Sequence, residues 1–377
     1  MTGLRPARRA LLRAALFACL AVATPALAER LPEVDALVAP LVGVDAPGIA
    51  VLVAQDGEVL HAAGYGLADI EAGTPVTLDT LFDLASVSKQ MTALAAALLV
   101  AEGALDPKAP VAEVLDVPPV VHQGARRPIV LDDLVRHTSG LPDYLDDAPG
   151  LDFDEATSDA DVLAWLADMP LDAEPGATFA YSNTGYLVLG AVVAAAEGVD
   201  SLDAALQARV FGPLTMISTA SGAPADPARR AAGYAGTDGD FEPSAWDTSV
   251  EGDGSIWTSL ADLARYEAAL AGGALIPDGL HDALFANGRF ADGGPLADED
   301  EDGAGYGWGW SLYGDPGRAV AAHGGSWYGT ATYYYRGLDT GLSVIVLANG
   351  EDLDAESLAW EIADALERAR GARGERG

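Results

Sequence analysis

The run from Lys89 to Glu102, Lys-Gln-Met-Thr-Ala-Leu-Ala-Ala-Ala-Leu-Leu-Val-Ala-Glu, leaves little freedom about what it becomes. Alanine and leucine are the best helix formers, and Gly103 supplies a stop. Phe82-Asp83-Leu84-Ala85 leads into it as a short extended stretch. Between the two lies Ser86-Val87-Ser88-Lys89. The chain has only two lysines among its 21 cations, so a lysine at this place asks for a chemical reason. An amine can lose its proton near neutral pH when its surroundings lower its pKa, whereas a guanidinium effectively cannot. Positions i and i+3 share one face of a helix, so Ser86 and Lys89 are neighbours. That is the layout of a nucleophilic serine beside its activator. At a helix start, free N–H groups and the dipole would also stabilise an oxyanion.

Taken alone, the tetrapeptide equally suits an N-cap serine followed by a surface lysine. Two further motifs change the reading. Tyr181-Ser182-Asn183 stands ahead of an apolar helical stretch, Leu187 to Ala196. His323-Gly324-Gly325-Ser326 lies in a strand-like stretch from Arg318 to Ser326. Ser-x-x-Lys, then Tyr-x-Asn, then a basic residue with Gly-Gly resembles the serine β-lactamase and penicillin-binding-protein superfamily. The resemblance is to class C β-lactamases, DD-peptidases and related esterases. It extends through Gly64-Tyr65-Gly66-Leu67-Ala68-Asp69 and Val135-Arg136-His137-Thr138-Ser139-Gly140-Leu141-Pro142. It continues in Gly254 to Leu263 and in Gly305-Tyr306-Gly307-Trp308-Gly309-Trp310.

The resemblance implies roles. Ser86 would attack a carbonyl and form an acyl-enzyme. Lys89 would bond it, and Tyr181 would be the second proton handler. A phenol acts as a base only if cations such as Lys89 and a protonated His323 lower its pKa. Which of Lys89 and Tyr181 takes the first proton stays open. Asn183 would donate to a substrate carbonyl and hold the lysine amine; it also suits a helix N-cap. Ser326 and Ser86 would give the oxyanion-hole N–H groups. Gly324 and Gly325, having no Cβ, would let the strand approach a substrate backbone. His323 stands where many relatives carry lysine, and histidine titrates near neutrality. The substitution favours a peptidase or esterase over a β-lactamase, because a fixed cation would pair with a β-lactam's carboxylate. His137 reads as a structural residue holding a loop near the cleft. Tyr144, Trp327 and Tyr328 suit either a cleft lining or packing.

Strands are expected at both chain ends: a hairpin over Gly48 to Gln55 and Glu58 to Gly64, then Ala331 to Arg336 and Leu342 to Ala348. An amphipathic helix is expected over Asp354 to Arg370, with a disordered tail over 371–377. The middle, about 104–304, reads as helices and Pro- or Gly-rich loops. The fold class is therefore α/β of the α+β type. An antiparallel sheet built from both ends (about 29–103 and 305–370) is flanked by helices and carries a mostly helical insertion. One hydrolase domain, 29–370, is expected, with the site in the cleft between its parts.

Met1 to Ala28 has the basic start, apolar stretch and Ala26-Leu27-Ala28 of a secretory signal, so a secreted or periplasmic protein is expected. The only cysteine, Cys19, would leave with it, and no disulfide would remain. Loss of its four arginines takes the net charge from −36 to −40, which excludes nucleic acid and anionic membrane as natural partners. The expected partner is a small molecule or peptide. No cofactor or metal is expected: no His-Glu-x-x-His occurs and the five histidines lack metal spacing. No Gly-x-Ser-x-Gly elbow occurs either, which disfavours an α/β-hydrolase. Asp298-Glu299-Asp300-Glu301-Asp302-Gly303 opens like a calcium loop, but Gly309 fills the twelfth position, where such a loop needs a glutamate.

Overall fold

A computed structural model describes residues 30–115, 127–147, 157–237, 239–244, 250–272, 275–277, 279–298, 304–314 and 318–374. The expected signal (1–28), the acidic loop after Asp298 and residues 375–377 lie outside the described residues.

Seven strands form the main sheet: β1 (Ile49–Gln55), β2 (Glu58–Tyr65), β3 (Gly305–Tyr306), β4 (Ser311–Tyr313), β5 (Val320–Trp327), β6 (Thr330–Gly337) and β7 (Leu342–Ala348). Their spatial order is β3-β4-β5-β6-β7-β1-β2, and all neighbours are antiparallel. The first hairpin thus docks beside the last strand, with Ile49 opposite Ala348 and Gln55 opposite Leu342. Asp56 and Gly57 both have positive φ, as a tight two-residue hairpin turn demands.

The central strands are apolar on both faces because helices cover both. Ala50, Leu52, Ile345, Leu347 and Tyr334 face the larger core, shared with the inserted helical region. Ile49, Val51, Val53, Val344 and Val346 face the other way, under Leu358, Ala359 and Ile362 of the last helix and Val34 and Val38 of the first, Pro32–Val38. The last helix runs Ala355–Gly374, four residues beyond its expected end.

The Lys89–Ala101 helix forms as expected and is entered by a single 3-10 turn, Ala85–Ser88. The Asn183–Glu197 helix packs against it and ends at Gly198 in the left-handed conformation. The expected extended stretch before the Lys89–Ala101 helix is a strand, and it joins short strands of the middle region that the sequence did not announce. Phe82–Asp83 and Ala220–Ser221 flank Ile256–Thr258 in a three-stranded sheet. Two-residue strands have no readable alternation, and their pairing is set by tertiary contact.

Asn349, just past β7, ties the parts together. Its Oδ1 accepts the Gly48 N–H at 2.6 Å, and its Nδ2 donates to Ala232 O at 2.7 Å and to Leu67 O and Ala68 O at 3.2 Å. The side chain is buried, so its loss strips the Gly48 N–H and the Ala232 carbonyl of the partner it gives them, while Ala68 O keeps the Ala232 N–H. Asn349→Ala is expected to cost about 3 kcal/mol of stability, read from the urea midpoint; an unchanged midpoint would show that the knot is redundant.

Candidate active site

The turn that carries Ser86 is held by the sheet. Asp83 Oδ1 accepts the Ala85 N–H at 2.9 Å, and Ala85 takes a positive φ, a strained conformation for a residue with a Cβ. Thr332 of β6 donates to Leu84 O at 2.8 Å, and Thr330 donates to Asp83 O at 3.1 Å. A Cβ on Gly325 of β5 would overlap Leu84 O and Thr332 Oγ1 and would lie 3.1 Å from Ser86 N. This corrects the expectation for Gly325: its bareness admits the protein's own nucleophile turn, not a substrate. A Cβ on Gly324 would meet only the Tyr333 ring at ordinary distance.

Lys89 is fully buried and is the junction of the site. Its Nζ lies 3.0 Å from Ser86 Oγ, 2.8 Å from Asn183 Oδ1 and 2.7 Å from Asp253 O. The rings of Tyr181 and Tyr186 stand 4.8 and 5.8 Å from it, placing π-faces beside the ammonium. Asn183 Oδ1 and Asp253 O can only accept, so two amine hydrogens are committed to them. The third tetrahedral position of Nζ points at Ser86 Oγ. It holds a hydrogen when the amine is charged and a lone pair when it is neutral.

Both acceptors are themselves fixed. The N-cap of the Asn183–Glu197 helix is Ser182, whose Oγ accepts the Gly185 N–H at 2.9 Å, so Asn183 is free of capping duty. Asp143 accepts from the Asn183 backbone N–H and, at 3.3 Å, from its Nδ2, which turns Oδ1 toward the lysine. One Nδ2 hydrogen remains for a substrate. The 252–256 segment clasps the helix: Thr92 donates to Gly252 O at 2.8 Å, and Ser88 Oγ accepts the Ile256 N–H at 3.2 Å.

Tyr181 is 40% exposed, and its hydroxyl has no hydrogen-bond partner among the described residues. It lines the cleft beside Ser86, and among the described residues only Lys89 hydrogen-bonds the serine hydroxyl. His137 supports it from behind. The His137 ring stacks on Tyr181 with centroids 4.4 Å apart, its Nδ1 accepts the Ser182 N–H at 2.9 Å, and its carbonyl accepts the Ala180 N–H at 2.9 Å. Both flanks of Tyr181 are therefore pinned by one residue, which itself sits at positive φ. Burial, with the nearby Lys89 charge, holds the His137 imidazole far below its usual pKa and neutral.

His323 differs from its expectation. It is buried, and burial followed by the Lys89 charge pushes its pKa down to about 4. Its Nδ1 lies 2.7 Å from Gly324 O and must donate there, so Nε2 accepts from the Tyr306 hydroxyl at 3.0 Å. Neither nitrogen is left for a substrate, and no protonated His323 helps to acidify Tyr181. The reason is burial, which a sequence does not display.

Two hollows meet at Ser86. The smaller, about 140 Å³, is lined by Ser86, Tyr144, Tyr181, Asn183, Asp253, Ser326 and Trp327 among others. The larger, about 480 Å³, runs along His323, Gly324, Gly325 and Ser326 toward Asp298, Glu351 and Glu356. Tyr144 and Trp327 are thus lining residues, whereas Tyr328 lies in a neighbouring hollow with Arg230 and Trp257. Sequence reading missed Asp143, Asp253 and Tyr306 as site residues. Asp143 directly follows the quoted Leu141-Pro142 and Asp253 directly precedes Gly254, but neither shows any pattern of its own.

Two predictions follow from the histidines. His137→Asn keeps an acceptor for Ser182 and tolerates positive φ, while His137→Phe keeps the ring but strands a buried N–H. The phenylalanine variant is expected to lose about 2 kcal/mol more stability than the asparagine variant in urea titrations; equal losses would deny the Ser182 bond its weight. His323 binds its proton at about pH 4 folded but about 6.5 unfolded, so acid favours the unfolded state. Stability is expected to fall between pH 6.5 and 4 by up to about 1.4 kcal/mol per pH unit from this group. His323→Gln should flatten that slope; an unchanged slope would mean that the imidazole is charged in the fold.

The β-lactamase family's sequence model matches residues 34–367. Esterase EstB of Burkholderia gladioli is 41% identical over 180 residues, 45% of this chain and 45% of that protein. A D-aminopeptidase of Brucella anthropi is 31% identical over 312 residues, 81% of this chain and 56% of that protein. The chain thus spans about half the length of these two relatives. The octameric penicillin-binding protein homologue from Pyrococcus abyssi superposes with a TM-score of 0.73 at 25% identity, over 86% of this chain and 74% of that one. With this fold, and with Ser86, Lys89, Tyr181 and Asn183 gathered in one cleft, the chain belongs to the β-lactamase family of serine hydrolases.

Proposed function

We propose that the protein is a secreted or periplasmic hydrolase that cleaves small esters, amides or D-residue peptides through an acyl-enzyme on Ser86. The observation that carries this reading is the Lys89 amine, buried and 3.0 Å from Ser86 Oγ, with its other two near neighbours both pure acceptors. When the amine is neutral, its lone pair takes the hydroxyl proton as Oγ bonds to the substrate carbonyl carbon. The carbonyl π electrons move to oxygen, and the N–H groups of Ser86 and Ser326 hold that oxyanion. Collapse of the intermediate expels the leaving group, which takes a proton delivered from Lys89 through the Tyr181 hydroxyl at the open side of the cleft. Water then repeats the sequence on the acyl-serine, with the same groups reversed. His137 keeps the phenol over the lysine, and Asn183 offers its remaining Nδ2 hydrogen to the acyl group.

Substrate class follows from charge. Among the described residues, no lysine or arginine lines either hollow beside Ser86. His323 is neutral at pH 7 and already bonded at both nitrogens. The carboxylate of a β-lactam or of a peptidyl-D-alanine terminus finds no fixed cation there. The esterase and D-aminopeptidase relatives support the same choice. Capture of cell-wall peptide without turnover is disfavoured, because the serine, lysine and tyrosine are all present and mutually placed.

Lys89→Arg separates proton transfer from charge. Arginine keeps the cation but has no lone pair to offer. Labelling of Ser86 by a fluorophosphonate, followed by intact mass, is expected to slow at least 10³-fold in Lys89→Arg, with the circular dichroism unchanged. Labelling near the wild-type rate would leave charge as the lysine's only contribution. An adduct that persists in Ser86→Ala would move the nucleophile elsewhere.

A further inference from the structure

The smaller hollow is lined by an acidic residue that the mechanism above does not use: burial raises the pKa of the Asp253 carboxyl, against the pull of the Lys89 charge. Only the backbone carbonyl of Asp253 serves Lys89, and the residue lines the hollow beside Ser86. That carboxyl is among the most enclosed acids of the site, with 6% of the residue exposed. Its Oδ2 accepts the Tyr144 hydroxyl at 2.8 Å, a neutral donor that orients the group. Burying a carboxylate is costly unless a cation answers it. Lys89 answers it only at a distance, because no ion pair joins the two side chains among the described residues. The other acid of the lining, Asp83, is engaged with the Ala85 N–H. Arg230 stacks over Trp257 at 4.5 Å in the adjoining hollow and does not line this one.

Size narrows what fits. A cavity of 150 Å³ takes benzene, so the hollow's 140 Å³ suits a group of about six heavy atoms. An alanyl group, with its ammonium one carbon from the carbonyl that Ser86 would attack, is of that size. We infer that Asp253, oriented by Tyr144, makes the small hollow a subsite for the α-ammonium of a short aminoacyl group. Preferred substrates are then amides or esters of small amino acids with a free amino terminus, rather than N-acylated ones. This rests on Ser86 being the acylated residue, and it names the substrate for that same site.

The test compares alanine p-nitroanilide, in both enantiomers, with propionyl p-nitroanilide, which lacks only the amino group. Wild-type kcat/KM is expected to favour at least one alanine enantiomer by tenfold or more, the weight of a charge-assisted hydrogen bond. Asp253→Asn retains the backbone carbonyl and is expected to reduce that preference at least tenfold, each variant's propionyl rate serving as its own reference. A preference that survives in Asp253→Asn, or a wild type indifferent to the amino group, would overturn the subsite. Should Asp253→Asn fail to fold, wild-type hydrolysis of p-nitrophenyl acetate at pH 6.5 gives a second reading. Alaninamide should inhibit at a concentration tenfold or more below that needed of propionamide, and equal inhibition would overturn the proposal. The two layers fail separately. Ester hydrolysis undiminished in Ser86→Ala would remove the catalytic reading itself, whereas Ser86-dependent hydrolysis with no ammonium preference would remove only the subsite.

Discussion

A buried lysine amine is hard to keep in a protein, and this fold is arranged around keeping one. Lys89 is wholly inside, so every hydrogen of its amine needs an acceptor. The acceptors come from three remote parts of the chain: Ser86 on its own turn, Asn183 on a second helix and Asp253 on the segment before the Ile256–Thr258 strand. Each is held by a further contact, Asp143 on Asn183 and Thr92 on the Gly252 carbonyl. Two tyrosine rings fill the remaining directions. Removing the amine would leave several oriented oxygens facing an empty space, so the polar groups of the cleft depend on one another through this single atom.

Burial first, and the Lys89 charge second, keep the two histidines of the cleft neutral. Each is buried, and each lies close enough to Lys89 to be discouraged from gaining a proton. An imidazole that stays neutral can be a fixed acceptor, and both are used so: His137 Nδ1 for the Ser182 N–H, and His323 Nε2 for the Tyr306 hydroxyl. The histidine that stands where relatives carry lysine has thus become part of the wall.

The elements were legible where local chemistry decides them. The alanine-rich helix, the Asp56-Gly57 hairpin and the two late strands follow from propensity, turn chemistry and runs of β-branched and aromatic residues. Ser86, Lys89 and Tyr181 stood out in the sequence because their spacing is local or carried by short motifs. What stayed hidden depends on tertiary surroundings. Gly325 looked like a substrate-facing glycine until the Leu84 carbonyl was found against it. His323 looked titratable because burial cannot be read from one residue. Asp143 and Asp253 gave no pattern, since an isolated aspartate in a loop is ordinary on a surface this acidic.

The nucleophile turn is fastened directly to β5 and β6, by Thr330, Thr332 and the bare face of Gly325. Ser86 and the strand proposed to hold the oxyanion are therefore one rigid body, with no loop between them. The remaining walls of the two hollows come from elsewhere: Tyr144 from the start of the short Tyr144–Asp147 helix, Asp253 from the segment before Ile256–Thr258, and Asp298 and Glu351 from two further segments. Substitution or insertion in those walls can change what the cleft accepts without moving the reacting atoms relative to one another. Divergence in substrate can then proceed by small steps through enzymes that remain active, which suits a scaffold whose matched relatives bear names as different as esterase, D-aminopeptidase and penicillin-binding protein homologue.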